Sequence, residues 1–494
     1  MDEHKYVLGI DLGTSNSVAS LVVDGEVKEI LINGMDYIPS VVSYLNDGRK
    51  FVGVEGKSRL VLDPESTVSS IKRHMGEVGF EVDINSKKIT AEEISADILR
   101  ELVSGAKNMY GIDKFDKEVE AVICIPANFS DNAKKATLDA AALAGIKVLY
   151  LLEEPIAAAI MYAENISNNE NILVYDLGGG TFDTCILRAN MNSKNKYDFK
   201  ILAKEGIRYL GGDDFDLELM TIINQKCVEK YNISLLGNQS KRTMQKLKDI
   251  AEEIKIKLSF CDSYNLVFNY KNVDIDIEIS REEFNEGIDD LIDETFISVG
   301  RALEFAKLQV DEIDKVILVG GSSLIPRISE KISNLFNKKV YYNLNPRTVV
   351  AQGAAKYARS IIEDKNGFEV NIEQIVTYNL GIMTSGRRFS KIISKGMKIP
   401  LNKSIRVEKE YYTQYDNQTE FNILVYQCED DVKYINGKCI CIGEFKLSNI
   451  RKNYKGMEKI YVTFEVNNEN IVNIKATSVT SGTEVKGVLK VEKI

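Results

Sequence analysis

The tetrapeptide Asp11-Leu-Gly-Thr14 returns in expanded form as Asp176-Leu-Gly-Gly-Gly-Thr181, and each copy ends an apolar, strand-like run. The two runs are Tyr6-Val-Leu-Gly-Ile10 and Asn171-Ile-Leu-Val-Tyr175. Each copy sets a carboxylate, glycine and a hydroxyl where a strand turns back. Glycine lets the backbone bend tightly and bring its N–H groups to a ligand. Asp can hold a hydrated Mg²⁺, and Thr can donate to a phosphate oxygen. One such loop is ordinary turn chemistry. Two of them, in halves of similar size, predict two facing lobes that grip one nucleotide.

The chain has 494 residues, enough for more than one domain and a large core. Its net charge of −10, with no basic stripe, argues against nucleic acid or an anionic membrane as partner. The first residues, Met1-Asp-Glu-His-Lys-Tyr6, lack the basic and apolar regions of a signal peptide. No apolar run approaches the ~20 residues of a membrane span. The seven cysteines mostly sit in apolar runs, as Cys124 and Cys185 do, which fits reduced thiols in a cytoplasm. Cys439-Ile-Cys441 reads as alternation on a strand rather than as a metal pair, because no second ligand pair is near in sequence. With His4 and His74 as the only histidines, a His-rich metal site is excluded.

Up to about residue 365, strand-like runs alternate with amphipathic helical stretches, the pattern of an α/β architecture. A helix is expected after Ser130, packed through Ala133, Ala136, Ala140, Ala141 and Ala144 and ended by Gly145. Another should begin near Pro155, and a third should run from Lys241 to Ser259. Phe368–Tyr378 has no clear period and reads as a linker. Beyond it, Phe421–Gln427, Lys438–Leu447, Lys459–Val466, Ile471–Thr477 and Glu484–Val491 read as strands of a separate β-sandwich. Asn436-Gly437 and Ser481-Gly482 mark turns between them.

Two further glycine-rich loops precede helical sequence: Leu210-Gly-Gly-Asp-Asp-Phe-Asp216 and Val319-Gly-Gly-Ser-Ser323. With them, and with Gly9-Ile-Asp-Leu-Gly-Thr-Ser-Asn-Ser17, Ser70-Ile-Lys-Arg73, Ile125-Pro-Ala-Asn-Phe129, Glu153-Glu-Pro-Ile-Ala-Ala-Ala159, Asp176–Asp183 and Asn345-Pro346, the chain resembles the DnaK-type, seventy-kilodalton heat-shock chaperones. Asn379-Leu-Gly-Ile382, Ile399-Pro400, Asp416-Asn-Gln418 and Gly443-Glu-Phe445 extend the likeness through the C-terminal part.

The resemblance implies an α/β, actin-like two-lobed ATPase domain over residues 1–365, a linker over 366–378 and a β-sandwich peptide-binding domain over 379–494. The implied ligands are ATP or ADP and Mg²⁺, and the implied partner is an unfolded or extended polypeptide, in a cytoplasmic stress response. Gly13, Thr14, Ser15 and Asn16 would meet the phosphates from one side, and Gly178, Gly179, Gly180 and Thr181 from the other. Asp11 and Asp183 would hold Mg²⁺ through water. Lys72, Glu154, Asp176 and Thr181 would act on the γ-phosphate and the attacking water. Gly211 and Gly212, then Glu252, Lys255 and Ser259 on one helix face, and Gly320, Gly321 and Ser322 would surround the nucleoside. Taken alone, Lys72 reads as a solvated surface lysine, and the Glu252 trio as a solvated helix stripe.

The chain also departs from the family. Arginines that flank the adenine are matched by Ile256 and Leu324, so cation–π stacking is lost. The linker reads Val370-Asn-Ile-Glu-Gln374, with fewer apolar groups than the family's. On the surface used by J-domain co-chaperones, Tyr150 and Lys134 replace the usual residues; a nucleotide exchange factor is the family's other helper. In the peptide cleft, Ile382 keeps a lining position, Ser385 replaces a methionine and Phe421 a smaller aliphatic residue. The sequence stops at Ile494, which leads us to expect a member without the helical lid. A competing reading is a nucleotide-sensing scaffold for one dedicated partner. A sugar kinase of the same superfamily is disfavoured by the β-domain.

Overall fold

The computed structural model describes residues 6–77, 79–127, 129–162, 169–193, 196–237, 239–337, 345–362, 369–376, 378–399, 404–428, 431–437, 439–467 and 471–490. Expectations that fall on His4, Asn128, Phe368, Thr377, Pro400, Lys438 and Val491 lie outside the described residues. The chain forms two compact units, 1–127 with 136–197 and 204–370, and 128–135 with 198–203 and 371–494.

In the first unit the repeated motif sits in a repeated piece of topology. Leu8–Asp11 and Asn16–Val23 form an antiparallel hairpin, and Leu8–Asp11 also pairs in parallel with Val119–Ile125. Glu170–Leu177 and Phe182–Ser193 form the second hairpin, and Glu170–Leu177 pairs in parallel with Lys315–Val319. Ile146–Glu153 extends the first sheet beyond Val119–Ile125. Both Asp-Leu-Gly loops are therefore hairpin turns at the carboxyl end of a strand with a parallel neighbour. Buried apolar residues from Leu8, Ile10, Val122, Ile123, Leu173, Val174 and Ile317 fill these sheets.

The expected helices form. Asp131–Leu143 opens with the Ser130 hydroxyl accepting from the Ala133 amide (3.2 Å), and Ala133, Ala136, Ala140 and Ala141 are buried. Gly145, after its end, has φ +75°. Glu154–Met161 begins with Pro155 in its first positions, where a missing N–H costs nothing. Lys241–Leu258 buries Leu247, Ala251, Ile254 and Leu258.

The helix Val349–Ile362 locks the site-bearing pieces together. A Cβ on Gly353 would stand 1.8 Å from the Ala157 carbonyl oxygen, and one on Gly9 would stand 2.1 Å from the Ala355 amide nitrogen. The helix thus touches the backbone of the helix that starts at Glu154 and of the strand that ends at Asp11.

The second unit is a sandwich of two four-stranded sheets. Arg388–Ile393, Asn379–Thr384, Phe421–Cys428 and Cys439–Leu447 form one; Ile405–Tyr412, Lys459–Val466, Ile471–Ser478 and Glu484–Lys490 form the other. They share one core that includes Leu380, Ile423, Val425, Ile460, Val462 and Phe464. The stretch expected as a linker carries a strand, Glu369–Ile375, paired at Gln374 with Ile399. Within this unit Asn371 Nδ2 donates to Asp198 Oδ1 (2.9 Å), and Glu373 has Lys398 at 3.3 Å and Lys200 at 3.8 Å. These polar side chains have polar partners that the sequence pattern did not reveal.

Two glycines give a paired test of the packing. Gly353→Ala must push apart two backbones, and its unfolding free energy is expected to fall by about 1–3 kcal/mol. Gly300→Ala, in a helix with nothing within 4 Å of the new Cβ, should gain about 0.5–1 kcal/mol. Urea denaturation of both full-length variants makes the comparison; equal shifts would show that the Gly353 contact is not tight.

Candidate nucleotide site

The two hairpins bring their acids into one sealed cluster. Asp176 and Asp183 are directly opposed in the second hairpin, so their side chains share a face. Asp11 ends the corresponding strand of the first sheet, beside Cys124. Glu154 follows the neighbouring strand Ile146–Glu153 as the first helical residue. Lys72 comes from the short helix Ile71–His74, and its Nζ donates to Glu154 Oε1 at 2.6 Å. Only 8 % of Lys72 is exposed, which rules out the solvated surface lysine.

Four carboxylates around one ammonium, out of water, cannot all ionise freely. Burial, then Glu154, pushes the Asp11 carboxyl up to about 7, against the pull of Lys72. Burial, then Glu154, Asp183 and Asp11, holds Asp176 well above the ordinary carboxylate value. Burial alone would lower the Lys72 ammonium, but Glu154 and Asp11 outweigh it and the net shift is upward. Asp11 is half-buried as a residue, yet its Oδ1 is closed off and has no hydrogen-bond partner.

The glycine loops close over this cluster. A Cβ on Gly179 would stand 1.9 Å from the Ser15 hydroxyl, so the two Asp-Leu-Gly loops meet there. Thr14 and Arg73 crowd Gly180 in the same way. Gly212 and Asp213 donate their amides to the Gly178 (3.0 Å) and Gly179 (2.7 Å) carbonyls, so the 211–213 turn lies along the second loop. Gly320, at φ +82°, lies against the Leu177 carbonyl and Asp176 Oδ1, a conformation and contact that suit only glycine. Ser322 Oγ donates to the Gly178 carbonyl at 2.8 Å. Gly13 turns back on the carbonyl of Asn16, which is exposed.

The helix face read from the sequence is engaged rather than solvated. Lys255 Nζ lies 2.7 Å from Asp216 and donates to the Gly212 carbonyl at 2.9 Å. Glu252 pairs with Lys57 at 2.6 Å, and Ser259 Oγ donates to the Lys255 carbonyl at 3.2 Å. Ile256 and Leu324 are exposed, at 42 % and 36 %. In the second unit, Ile382 and Phe421 lie together in the sandwich core, whereas Ser385 is exposed at the turn Ser385–Arg387.

Three contributors were missed in the sequence. Ser40 donates to the Gly13 carbonyl through Oγ (2.8 Å) and to the Ser15 carbonyl through its amide (2.8 Å), fixing the first loop. Arg73 reaches Asp214 (3.4 Å) and Asp213 (3.7 Å), tying the Lys72 segment to the 211–214 turn. Lys204 and Glu153 form a buried ion pair, with Nζ–Oε1 at 2.6 Å, one residue before Glu154. Ser40 stands in no pattern of its own, and Arg73 entered only as the end of Ser70-Ile-Lys-Arg73, where Lys72 took the role. Lys204 falls on the half-exposed face of its alternating strand, so periodicity gives it to solvent.

The site fits a divalent cation with a polyphosphate. Asp11 offers a closed-off oxygen with no partner inside the protein, and the glycines let the loops and their main-chain amides approach more closely than any side chain would allow.

The raised Asp11 carboxyl has a consequence for stability. The unfolded chain loses this proton near the ordinary 3.8, and the folded chain at about 7. Asp11 therefore contributes stability that is complete below the first value and lost as pH rises to the second. Asp11→Asn removes that slope. Without nucleotide and in chelator, the variant should match the wild type at about pH 4 and exceed it at about pH 8 by a few kcal/mol, since each tenfold change in proton affinity is worth ~1.4 kcal/mol. Urea denaturation across this range decides; a gap independent of pH would take Asp11 out of the cluster.

The family model described as Hsp70 protein matches residues 7–493. With the motif order and the paired hairpins that carry it, this chain belongs to the Hsp70 protein family.

Proposed function

We propose that this chain is an ATP-dependent chaperone that binds and releases unfolded or extended polypeptide segments, driven by hydrolysis in its N-terminal unit. Membership of the family brings a chaperone function and ATP hydrolysis as the general reaction. The observation that carries the finer reading is the meeting of Asp11, Lys72, Glu154, Asp176 and Asp183 beneath the glycine loops. On this reading the two hairpin-bearing sheets are the lobes of an actin-like ATPase.

Phosphoryl transfer to water needs positioning and charge neutralisation more than covalent chemistry. Thr14, Ser15 and the amides of Gly178–Thr181 bind the phosphates. Mg²⁺, held by Asp11 and Asp183 through water, supplies charge neutralisation on the phosphate oxygens when bound. Lys72 brings its ammonium to the γ-phosphate and is kept there by Glu154. Asp176 holds a proton more tightly than an exposed carboxylate and suits the attacking water as a base. Lys255, Ser259 and Ser322 hold the nucleoside, and Ile256 and Leu324 offer it apolar surface in place of guanidinium stacking. The sandwich would hold a peptide by backbone pairing and apolar pockets near Ile382, Ser385 and Phe421.

Lys72→Ala should lower turnover by about 10²–10³-fold, the loss expected of a transition-state contact, while ATP binding stays within about threefold. Turnover at the wild-type rate would remove Lys72 from the site. For Asp183→Asn, the Mg²⁺ concentration at half-maximal rate should rise about tenfold, as for other groups that hold a metal through water. An unchanged Mg²⁺ titration would end its assignment. The chaperone reading is tested by steady-state turnover with and without a panel of unfolded peptides. Stimulation by many of them supports it; intact turnover that no peptide alters would leave an ATPase without that role.

A further inference from the structure

Three cysteines lie on one face of the sandwich at the root of a single hairpin loop. Cys428 ends the strand Phe421–Cys428, and Cys439 opens the strand Cys439–Leu447. The register opposes them directly, Cys428 to Cys439, and places Cys441 opposite Tyr426. Directly opposed residues of antiparallel strands have Cα atoms about 4.5–5.5 Å apart and point to the same face. That separation lies inside the range a disulfide spans, about 4.4–6.8 Å. Cys439 also packs against the small buried cluster that holds Cys428. Cys439 and Cys441 are two residues apart on one strand, so their Cα atoms are about 6.7 Å apart and their Cβ bonds run parallel. That pair is poorly placed to bond.

The loop that Cys428 and Cys439 would close has a defined task. Its Ile435 amide donates to the Arg387 carbonyl (2.8 Å), and the Phe389 amide donates to its Lys433 carbonyl (3.1 Å). Tyr434 and Arg388 form a β-bridge between these bonds. Lys391 adds an ion pair to Asp431 at 2.7 Å. Phe389, Cys428 and Ile435 share a small apolar core, with Cys439 packed against it. The segment 431–437 therefore props the turn Ser385–Arg387, and the thiol pair sits at its base.

We propose that Cys428 and Cys439 form a reversible disulfide that clamps the segment 431–437 onto the Ser385–Arg387 turn. The oxidant class is a low-molecular-weight disulfide. Cys439, half-buried beside Asn436, loses its proton and attacks one sulfur, giving a mixed disulfide and one small thiolate. Cys428 then loses its proton and attacks Cys439 Sγ, and the second small thiolate leaves. Both protons end on the small thiols, and the two electrons lost by the protein thiols reduce the oxidant. The order follows from the surroundings of Cys428. Burial, then Cys439, holds its thiol well above the ordinary value, so it acts second, on a sulfur already beside it. The sequence hid this pair, because Cys439-Ile-Cys441 drew attention to the wrong partner.

The test uses the full-length reduced protein and glutathione disulfide without denaturant. Free thiols are alkylated and the protein is mapped by proteolysis and mass spectrometry. We expect Cys428 linked to Cys439, with the link lost on reduction, retained in Cys441→Ser and absent in Cys439→Ser. The variants are placed at the more accessible cysteines because Cys428 lies in the core. In the oxidised protein, exchange of the Phe389 and Ile435 amides should slow by about tenfold, since local opening is the step that exchange reads. A Cys439–Cys441 link, glutathione adducts that never resolve onto Cys428, or thiols that stay reduced would overturn the pairing. A Cys428–Cys439 link with unchanged exchange at both amides would overturn the clamp.

Discussion

The first unit depends on backbone meeting backbone. Gly353 lets the helix Val349–Ile362 touch the Ala157 carbonyl, and Gly9 lets the strand ending at Asp11 touch the Ala355 amide. Those two contacts set the separation between the carriers of Asp11 and Glu154. Main chain is stiffer than side chain, so positions fixed this way have little slack. Ser40, bonded to both Gly13 and Ser15, extends the same principle to the first loop. Arg73 extends it, through charge, from Lys72 to the 211–214 turn.

The cluster these contacts assemble is unfavourable by itself. Asp176 and Asp183 are opposed across a hairpin, where like charges repel. Lys72 offsets part of this, and burial, followed by the neighbouring acids, still holds Asp11 and Asp176 above the ordinary carboxylate value. A fold built for stability alone would not place four acids around one ammonium. The strain is concentrated at the site, which is where functional demands override local consistency. Nearby, Lys204 and Glu153 show the other solution, a buried acid paired directly with a buried ammonium.

Much of this was legible in the sequence. The repeated Asp-Leu-Gly-Thr motif ends two apolar runs, and both became strands with hairpin turns at the expected places. Alanine spacing after Ser130 and the Lys241–Leu258 pattern gave their helices, because both periods reflect one buried face. In the sandwich, the last five strands followed their apolar runs closely. Asn379–Thr384, Arg388–Ile393 and Ile405–Tyr412 were not read as strands from composition. Ile405–Tyr412 carries charges on both faces, and the other two are short and joined by a tight turn. Within the site, the glycine loops and acids were visible because they cluster in sequence. Ser40, Arg73 and the Lys204–Glu153 pair were not, because each gains its meaning from a partner far along the chain. The pairing of Cys428 with Cys439 was hidden for another reason: the two lie close in sequence, but strand register appears only after the hairpin has formed.

The acid cluster and the surface side chains of the first unit are built from different materials. Around the cluster the groups are main-chain amides and acids carried by strand ends, held by contacts that admit no added atom at Gly179, Gly320 or Gly353. Ile256 and Leu324, by contrast, are exposed side chains. Evolutionary drift therefore meets unequal resistance. The close-packed loops can change only if several backbones move together, whereas exposed positions such as 256 and 324 can change one residue at a time. A lineage with this frame is free to vary its exposed surface while the geometry around the acids stays fixed.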